Sequence, residues 1–330
     1  MLHIHNGDSS AGTAKQSTIR GEHFAWRESL ITGPTPAGLN PSEWRKLRAQ
    51  HLSEAFGADR AAIEAALHSQ EDKLSTYPDH DEVVLWFEHD LFCQINLLYL
   101  FQWFAQRDLG QTKLSLICIG EFPGLPDFRG LGELNVEQLT SLLEKRHLVS
   151  AAELQLATKG WQAYCSANPS AIEALLSSDT SALPFLERAF QLHLERFPSV
   201  RNGLGRIEKL GLELIESGAS RFVDLFPRFC QAEPAYGLGD SQFELALRQM
   251  AAAQKPLVKS SNGSKPASRL ASAEFHKHAF EITETGEAVC RNEADFIELN
   301  GIDSWLGGVH LSGQKNLWRW DEQTRRLTLQ

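Results

Sequence analysis

The chain has 330 residues, of which 42% are hydrophobic and 22% are charged, as is typical of a soluble globular protein with a substantial core. Domains usually run to about 100–200 residues, so this length predicts two domains and allows a third small one. Lys plus Arg and Asp plus Glu balance at ten each from residue 254 to the end, so the net charge of −10 belongs to residues 1–253. That acidic part is not expected to carry a broad nucleic-acid surface, because such a surface needs a basic patch.

The cysteines indicate a reduced, cytoplasmic protein. No C-x-x-C pair occurs, so neither a zinc knuckle nor a disulfide framework is predicted for the five thiols, which are Cys93, Cys118, Cys165, Cys230 and Cys290. The N-terminal sequence MLHIHNGD lacks the basic and long apolar regions of a signal peptide. No segment reaches the roughly 20 apolar residues that a membrane helix needs, so no membrane partner is expected.

Strand and helix patterns alternate in the first part of the chain. Strands are predicted over residues 2–5, 23–30, 83–87 and 114–119. Helices are predicted over residues 11–20, 41–68 with a break at Gly57, and 91–106, with Ser42, Asp59 and Asp90 as N-caps. This alternation is typical of βαβ units and therefore predicts an α/β fold with a Rossmann-like parallel sheet.

The rest of the chain has a different character. Apolar residues three and four apart predict helices over residues 136–143, 151–165, 169–176, 184–196, 205–217 and 240–252. Four short strands are then predicted, over residues 280–283, 296–299, 309–311 and 317–320. We therefore predict a Rossmann-like α/β domain (1–134), a helical domain (135–253), a linker or mobile loop (254–273) and a small winged-helix-like β unit (274–330).

Five motifs occur in this order: LHIHNGDS, WRESLITGP, VVLWFEHDLFCQINLL, RNGLGRIEKLGLEL and WLGGVHL followed by LWRWD. Together they resemble an uncharacterised bacterial family, catalogued as a domain of unknown function (number eighteen thirty-five) and often followed by a second such domain. The resemblance spans most of the chain. It implies a Rossmann-like N-terminal domain and a helical C-terminal part, and it implies no particular activity or cofactor.

The stretch LHIHNGDSSAGTA at residues 2–14 predicts one wall of a ligand site. Gly7 and Gly12 allow positive φ and a close backbone approach. Ser9 or Ser10 would cap the following helix, and the free N–H groups of its first turn attract an anion. Parallel α/β sheets bind ligands at this edge, beyond the carboxyl ends of the strands.

Ionisable side chains follow each of the four predicted strands. Asp8 follows the first strand, Glu28 the core of the second, Glu88, His89 and Asp90 the third, and Glu121 the fourth. Strand alternation places Glu88 and Asp90 on one side and His89 on the other. We interpret Asp8, Glu28 and Glu88 as groups that act on or bind a small polar substrate, whereas helix capping alone would explain Asp90.

Two further chemistries use the same residues. The triplet at residues 7–9, Gly-Asp-Ser, is similar to the block that carries the nucleophile of SGNH hydrolases. The Asp-x-x-His that this family places late in the domain does not occur here, so His89 or His5 would have to replace it as the base for Ser9. Possible metal ligands are present, but no pair such as H-x-x-x-H supports a metal site, so none is predicted.

The C-terminal unit offers a rival function. Two helices followed by a β unit resemble a winged helix, in which phosphates would be bound by Arg206, Lys209, Arg325 and Arg326. Neither helix is basic, which favours packing over DNA binding. The leading hypothesis is therefore a cytoplasmic enzyme or small-molecule-binding protein with a polar, anionic ligand of phosphate or nucleotide type. A ligand-sensing DNA-binding regulator is the alternative, and a serine hydrolase using Ser9 ranks below both.

Overall fold

The computed structural model describes residues 1–260 and 279–330. Its first six strands are β1 (Leu2–Asn6), β2 (Glu22–Trp26), β3 (Gly33–Pro34), β4 (Glu82–Glu88), β5 (Lys113–Ile119) and β6 (His147–Leu148). Five of them form one sheet in the order β2-β1-β4-β5-β6. Strands β1, β2, β4 and β5 are parallel and β6 is antiparallel, so the predicted α/β fold with a parallel sheet is confirmed.

Local capping sequences determine where the next helices begin and end. The elements are α2 (Pro41–Phe56), α3 (Arg60–Leu74) and α4 (Leu91–Ala105). Gly57 ends α2 with a φ of 75°, and Asp59 caps α3, as predicted. The predicted cap at Ser42 is wrong: Asn40 accepts from the Glu43 N–H and forms a capping box, because Pro41 already occupies the first helical position.

The first helix, α1 (Asp8–Lys15), begins earlier than predicted. Gly7 is its N-cap residue with a φ of 113°, so the predicted positive φ is confirmed there. Ser9 and Ser10 are not caps, because both lie inside the first turn of the helix. Gly12 also lies inside the helix without positive φ, and a Cβ there would meet nothing within 4 Å.

Seven helices follow between residues 136 and 252. They are α5 (Val136–Ser141), α6 (Ala151–Tyr164), α7 (Ser170–Leu176), α8 (Leu186–Leu194), α9 (Arg206–Glu216), α10 (Phe222–Ala232) and α11 (Asp240–Ala252). Helix α10 is not among the predicted helix ranges, and Pro227 lies within it. No helix in the described parts of the chain has the length and apolar character needed to cross a membrane.

The C-terminal residues divide among three small sheets. Their elements are β7 (Val258–Ser260), β8 (Phe280–Ile282), α12 (Glu284–Cys290), α13 (Phe296–Asn300), β9 (Ile302–Gly307), β10 (Val309–Gly313), β11 (Trp318–Asp321) and β12 (Arg326–Leu329). The predicted strand at 296–299 is wrong. The Asp295 carboxylate accepts the N–H groups of Ile297 and Glu298, and this cap starts a helix instead.

One strand pairing joins the two ends of the chain. Strand β3 pairs in parallel with β9, with Gly33 opposite Leu306. A single hydrophobic cluster accordingly contains buried side chains from Leu2 to Leu327. Of the predicted linker 254–273, residues 258–260 form β7, and residues 261–273 lie outside the described residues, as do residues 274–278 of the predicted β unit.

Candidate functional site

Three polar side chains meet where β4 ends and α4 begins. Glu88 is the last residue of β4, Asp90 is the N-cap of α4, and Cys93 lies in the first turn of that helix. Their possible ligand atoms, two carboxylate oxygens and one sulfur, all lie within 4.8 Å of one another. The three side chains are buried, with exposed fractions of 8%, 4% and 1%. We call this group the Glu88 cluster.

Both carboxylate oxygens of Glu88 and its carbonyl oxygen accept hydrogen bonds. The Leu131 N–H donates to Oε1 at 2.5 Å, and the Cys93 thiol donates to Oε2 at 2.6 Å. The Gln94 side chain donates to the Glu88 carbonyl oxygen at 2.7 Å. Asn6, at the end of β1, donates in turn to the Cys93 sulfur at 2.6 Å. The cluster is therefore connected to the ends of both β1 and β4.

Burial changes the acidity of all three groups. It raises the pKa of Glu88 to about 7, and the nearby charge of Asp90 adds to that increase. Burial likewise raises the pKa of Asp90 and raises that of the Cys93 thiol well above its usual value. A carboxyl group with a pKa of about 7 is suited to give or take a proton at neutral pH, whereas a thiol whose pKa is raised stays protonated.

Two glycines bring the backbone against the carboxylates. A Cβ on Gly130 would lie 2.9 Å from Glu88 Oε1, and one on Gly237 would collide with the Asp90 carboxylate. The sequence indicates a turn for the Gly-x-Gly segment at 130–132 and the start of a helix for the one at 237–239. The Gly-x-Gly spacing is visible in the sequence and could have indicated a close backbone approach. The carboxylates that these glycines approach are far away in sequence, so the spacing did not identify them.

The first turn of α1 lies next to the turn at residues 130–132, which also contacts Glu88. The Ser9 hydroxyl donates to the Gly132 carbonyl at 3.0 Å, one residue beyond the Leu131 N–H that binds Glu88. Among the described residues, no side chain caps α1. Asp8 is exposed and forms a two-point ion pair with Arg27 at 2.6 and 2.7 Å. Asp8 thus lies at the rim and outside the Glu88 cluster.

The structure separates Glu28 from the other predicted site residues. Its carboxylate forms a buried ion pair with Arg48 at 2.7 Å, and the two side chains are 3% and 0% exposed. His89 also points elsewhere, into contact with Phe128 and Phe185, while Glu88 and Asp90 meet at Cys93. The predicted alternation of these three neighbouring side chains is seen in the structure.

Cys93 was missed from the sequence as a site residue, although it follows Asp90 by three positions, the spacing of one helical turn. Two carboxylates and a thiol are a possible ligand set for a divalent metal among the described residues. A thiol binds metal only when deprotonated, and this thiol donates its proton to Glu88. A metal bound at these three groups would therefore have to displace that proton.

The geometry gives less support to the two other hypotheses, a serine hydrolase using Ser9 and a DNA-binding C-terminal unit. The hydroxyl of Ser9 donates to a backbone carbonyl rather than to a histidine. In the C-terminal part, Arg206 pairs with Glu233 at 2.6 Å and Lys209 pairs with Glu322 at 2.9 Å. Two of the four cations proposed for phosphate contacts are therefore already neutralised.

A cavity of about 310 Å³ lies on the other face of the sheet. Its lining includes Gln94 and Cys118, which both contact the carbonyl oxygen of Glu88. The apolar lining of this cavity, with Leu97, Leu116 and Phe185, suits packing better than anion binding. The Glu88 carboxyl itself faces Leu131 and the α1 side.

The capping role of Asp90 can be tested with two variants that both remove its charge. We expect the free energy of unfolding of Asp90→Ala to be about 1 kcal/mol lower than that of Asp90→Asn. The reason is that asparagine keeps an oxygen for the Cys93 N–H, which Asp90 Oδ1 accepts at 2.8 Å. Urea unfolding of both variants at neutral pH measures the difference. Equal stabilities would show that the cap contributes nothing.

Comparison with known proteins adds no functional assignment. A scan against protein-family models and a search of the curated proteins found no match to this chain. The resemblance described from the motifs therefore stays a prediction. The function proposed next depends on the geometry of the Glu88 cluster.

Proposed function

We propose that this protein binds a small anionic molecule at the carboxyl edge of its parallel sheet, with Glu88 as the group that exchanges a proton with it. One observation carries the proposal: two carboxyl groups, Glu88 and Asp90, are buried side by side at the end of β4. The ligand class is a phosphate or nucleotide. The proposal covers both a binding protein and an enzyme that uses Glu88 as an acid or base.

Packing alone does not explain such a pair of carboxyl groups. Buried ionisable groups lower stability unless they are well paired, and apolar residues of similar volume often serve a core better. The five residues of β4 before Glu88, 83–87, are all apolar, so the two acidic groups directly follow an apolar stretch and are buried with it. Carboxyl groups with a pKa near 7 are suited to proton transfer at neutral pH, and such groups concentrate at functional sites.

The anion would be recognised by the neighbouring start of α1. Within residues 1–260 and 279–330, no side chain accepts from its first-turn N–H groups, and together with the helix dipole these groups favour negative charge. Arg27 lies at the same rim, and in the described part of the chain its guanidinium has N–H donors left beyond those bound to Asp8. The turn at 130–132 touches both Ser9 and Glu88, so a ligand at the helix start would be close to the Glu88 cluster.

Binding of inorganic phosphate, AMP and ATP, measured by calorimetry, tests this proposal. We expect at least one of these probes to bind the wild-type protein and Arg27→Gln to weaken that binding by about tenfold or more, since a charge-assisted contact is lost. The affinity should change between pH 6 and 8 because burial raises the pKa of Glu88 to about 7. In Glu88→Gln the pH dependence should fall to that of the probe's own phosphate ionisation, which is common to both proteins.

Glu121→Gln is the matched control, because Glu121 is an exposed carboxylate just after the neighbouring strand β5. It should bind like the wild type at every pH. The proposal is wrong if none of the three probes binds, or if Arg27→Gln and Glu88→Gln both bind like the control.

A further inference from the structure

The cavity of about 310 Å³ lies on the face of the sheet opposite the Glu88 carboxyl. Its walls are α4, β5, the start of α6 and the segment 182–185 before α8. We call it the α4–β5 cavity. Small-molecule sites occupy roughly 300–1,000 Å³, and an apolar cavity of about 150 Å³ already holds a benzene ring. The α4–β5 cavity therefore has room for a molecule of one or two rings.

A buried side-chain amide in the lining has an acceptor that the protein does not use. Gln94 is 2% exposed, and its Nε2 donates to the Glu88 carbonyl at 2.7 Å and to the Cys118 sulfur at 3.4 Å. Because a carbonyl oxygen only accepts, the amide nitrogen must face Glu88. The amide oxygen, Oε1, accepts no hydrogen bond from the described residues, and it keeps accessible surface instead of being sealed in the core. A ligand that donates to it gains a favourable contact.

Strand pairing places further lining residues on the same face of the sheet. Strand β6 pairs antiparallel with β5, and His147 lies opposite Leu116. Side chains two positions apart on a strand share a face, so Cys118 faces the same way as Leu116. Burial raises the pKa of Cys118 to about 12, so its thiol is uncharged at neutral pH.

The carboxylate in the described lining already has its hydrogen-bond donors. Glu153 Oε1 bonds to His147 Nε2 at 2.7 Å, and Oε2 accepts from the N–H and the hydroxyl of Ser150 at 2.7 and 2.8 Å. Burial raises the pKa of Glu153, but the bonds from His147 and Ser150 outweigh burial and lower the pKa overall. The negative charge is therefore compensated within the protein and needs no cation from a ligand.

The other walls are apolar. Leu97 of α4, Leu116 of β5 and Leu183 contribute aliphatic surface, and Phe185 contributes an aromatic ring. The Phe185 ring lies against the backbone of β5, since a Cβ on Gly120 would be 2.9 Å from it. Aromatic rings pack well against such a ring in offset or edge-on arrangements.

We propose that the α4–β5 cavity binds an uncharged heteroaromatic molecule of one or two fused rings that carries a ring N–H. The N–H group would donate to Gln94 Oε1, and the ring would pack against Leu97, Leu116 and Phe185. The site is separate from the Glu88 carboxyl, and it is independent of the function proposed there.

The polar groups of the lining disfavour other classes of ligand. An anion would meet the Gln94 oxygen and the Glu153 carboxylate, which both repel negative charge. A cation would lose its hydration against apolar walls without finding an unpaired carboxylate. A ring with no donor would fill the space but cover Gln94 Oε1 without a hydrogen bond, which costs free energy.

Calorimetric titration of the full chain with indole and benzimidazole at pH 8 tests the proposal. We expect saturable binding of at least one of them. Methyl isomers of that probe then isolate the hydrogen bond, because 1-methylindole lacks the N–H that 3-methylindole keeps, and 1-methylbenzimidazole differs from 2-methylbenzimidazole in the same way. The N-methyl isomer should bind at least about tenfold more weakly than the C-methyl isomer. The comparison uses unmodified protein, so it does not depend on whether a variant folds.

Variants localise the site. Ala182→Leu, which fills part of the cavity, should weaken binding by about tenfold or more, whereas Ser181→Leu, at the exposed neighbouring position outside the lining, should not. In Gln94→Met the two methyl isomers should bind equally, because the acceptor that separates them is gone. Glu88→Gln keeps the backbone carbonyl that holds Gln94 and should leave this binding unchanged, unlike binding at the sheet edge.

Three results would each overturn the inference. The first is that neither indole nor benzimidazole binds at millimolar concentration. The second is that the N-methyl isomer binds the wild-type protein as well as the C-methyl isomer does. The third is that Ala182→Leu binds like Ser181→Leu, which would place the bound probe elsewhere on the protein.

Discussion

Replacing Arg48 with methionine is expected to lower the free energy of unfolding by about 3–5 kcal/mol, the usual cost of breaking a buried ion pair. Arg48 is fully buried, and its guanidinium donates to Glu28 at 2.7 Å and to the carbonyl oxygens of Thr32 and Ser29 at 2.6 and 2.8 Å. Methionine fills similar volume but satisfies none of these acceptors. The Glu28 charge would then remain buried without its partner.

Arg27→Met is the matched control for this prediction. It removes the same side chain from an ion pair whose members are 62% and 65% exposed, and such pairs contribute at most about 1 kcal/mol. Urea unfolding of both variants at neutral pH gives the comparison. Similar losses of unfolding free energy in the two variants would show that the buried ion pair contributes no more to stability than the exposed one. The large loss that we expect would identify Glu28 as a structural group.

The stability of Glu88→Gln relative to the wild type is expected to increase with pH. The folded-state pKa of Glu88, about 7, lies above its ordinary value of 4.5, so the folded protein holds a proton that the unfolded chain releases. The stability contributed by this group is complete below pH 4.5 and is lost as pH rises through 7. Across that window the difference between the two proteins should change by on the order of 3 kcal/mol.

Chemical unfolding at several pH values between 4 and 8 measures this change. Buried histidines such as His3, whose pKa burial lowers to about 4, shift stability in the opposite direction, but they do so equally in both proteins. Their effect therefore cancels in the difference. A constant difference between Glu88→Gln and the wild type would mean that Glu88 titrates normally in the folded protein. The proposal that Glu88 exchanges a proton with the ligand would then have no support.

Several features could be predicted from the sequence because their causes are local. The apolar run at 83–87 is a strand buried on both faces, Asp90 caps the helix that follows, and Gly57 ends α2. In each case the hydrogen bond or the backbone conformation involves residues within a few positions of one another. The order of secondary structure and the parallel sheet follow from such signals.

Local signals were also misinterpreted where a distant contact competes with them. Ser9 looked like a cap, but in the folded chain its hydroxyl donates to Gly132, which lies far away in sequence. Residues 296–299 looked like a strand, but Asp295 caps them as a helix while also pairing with Arg319. The conformation of a short segment therefore depends on which partners it contacts in the folded chain.

The site itself was decided mostly by tertiary structure. The sequence placed Glu88 and Asp90 at the end of a buried strand, which is a local inference. It could not show that Glu28 would pair with Arg48, or that Leu131 and Cys93 would bind the Glu88 carboxylate. A charge, a pKa and an accessible edge depend on everything within a few ångströms in space. Chain segments far apart in sequence supply those neighbours here, so only the folded structure could assign them.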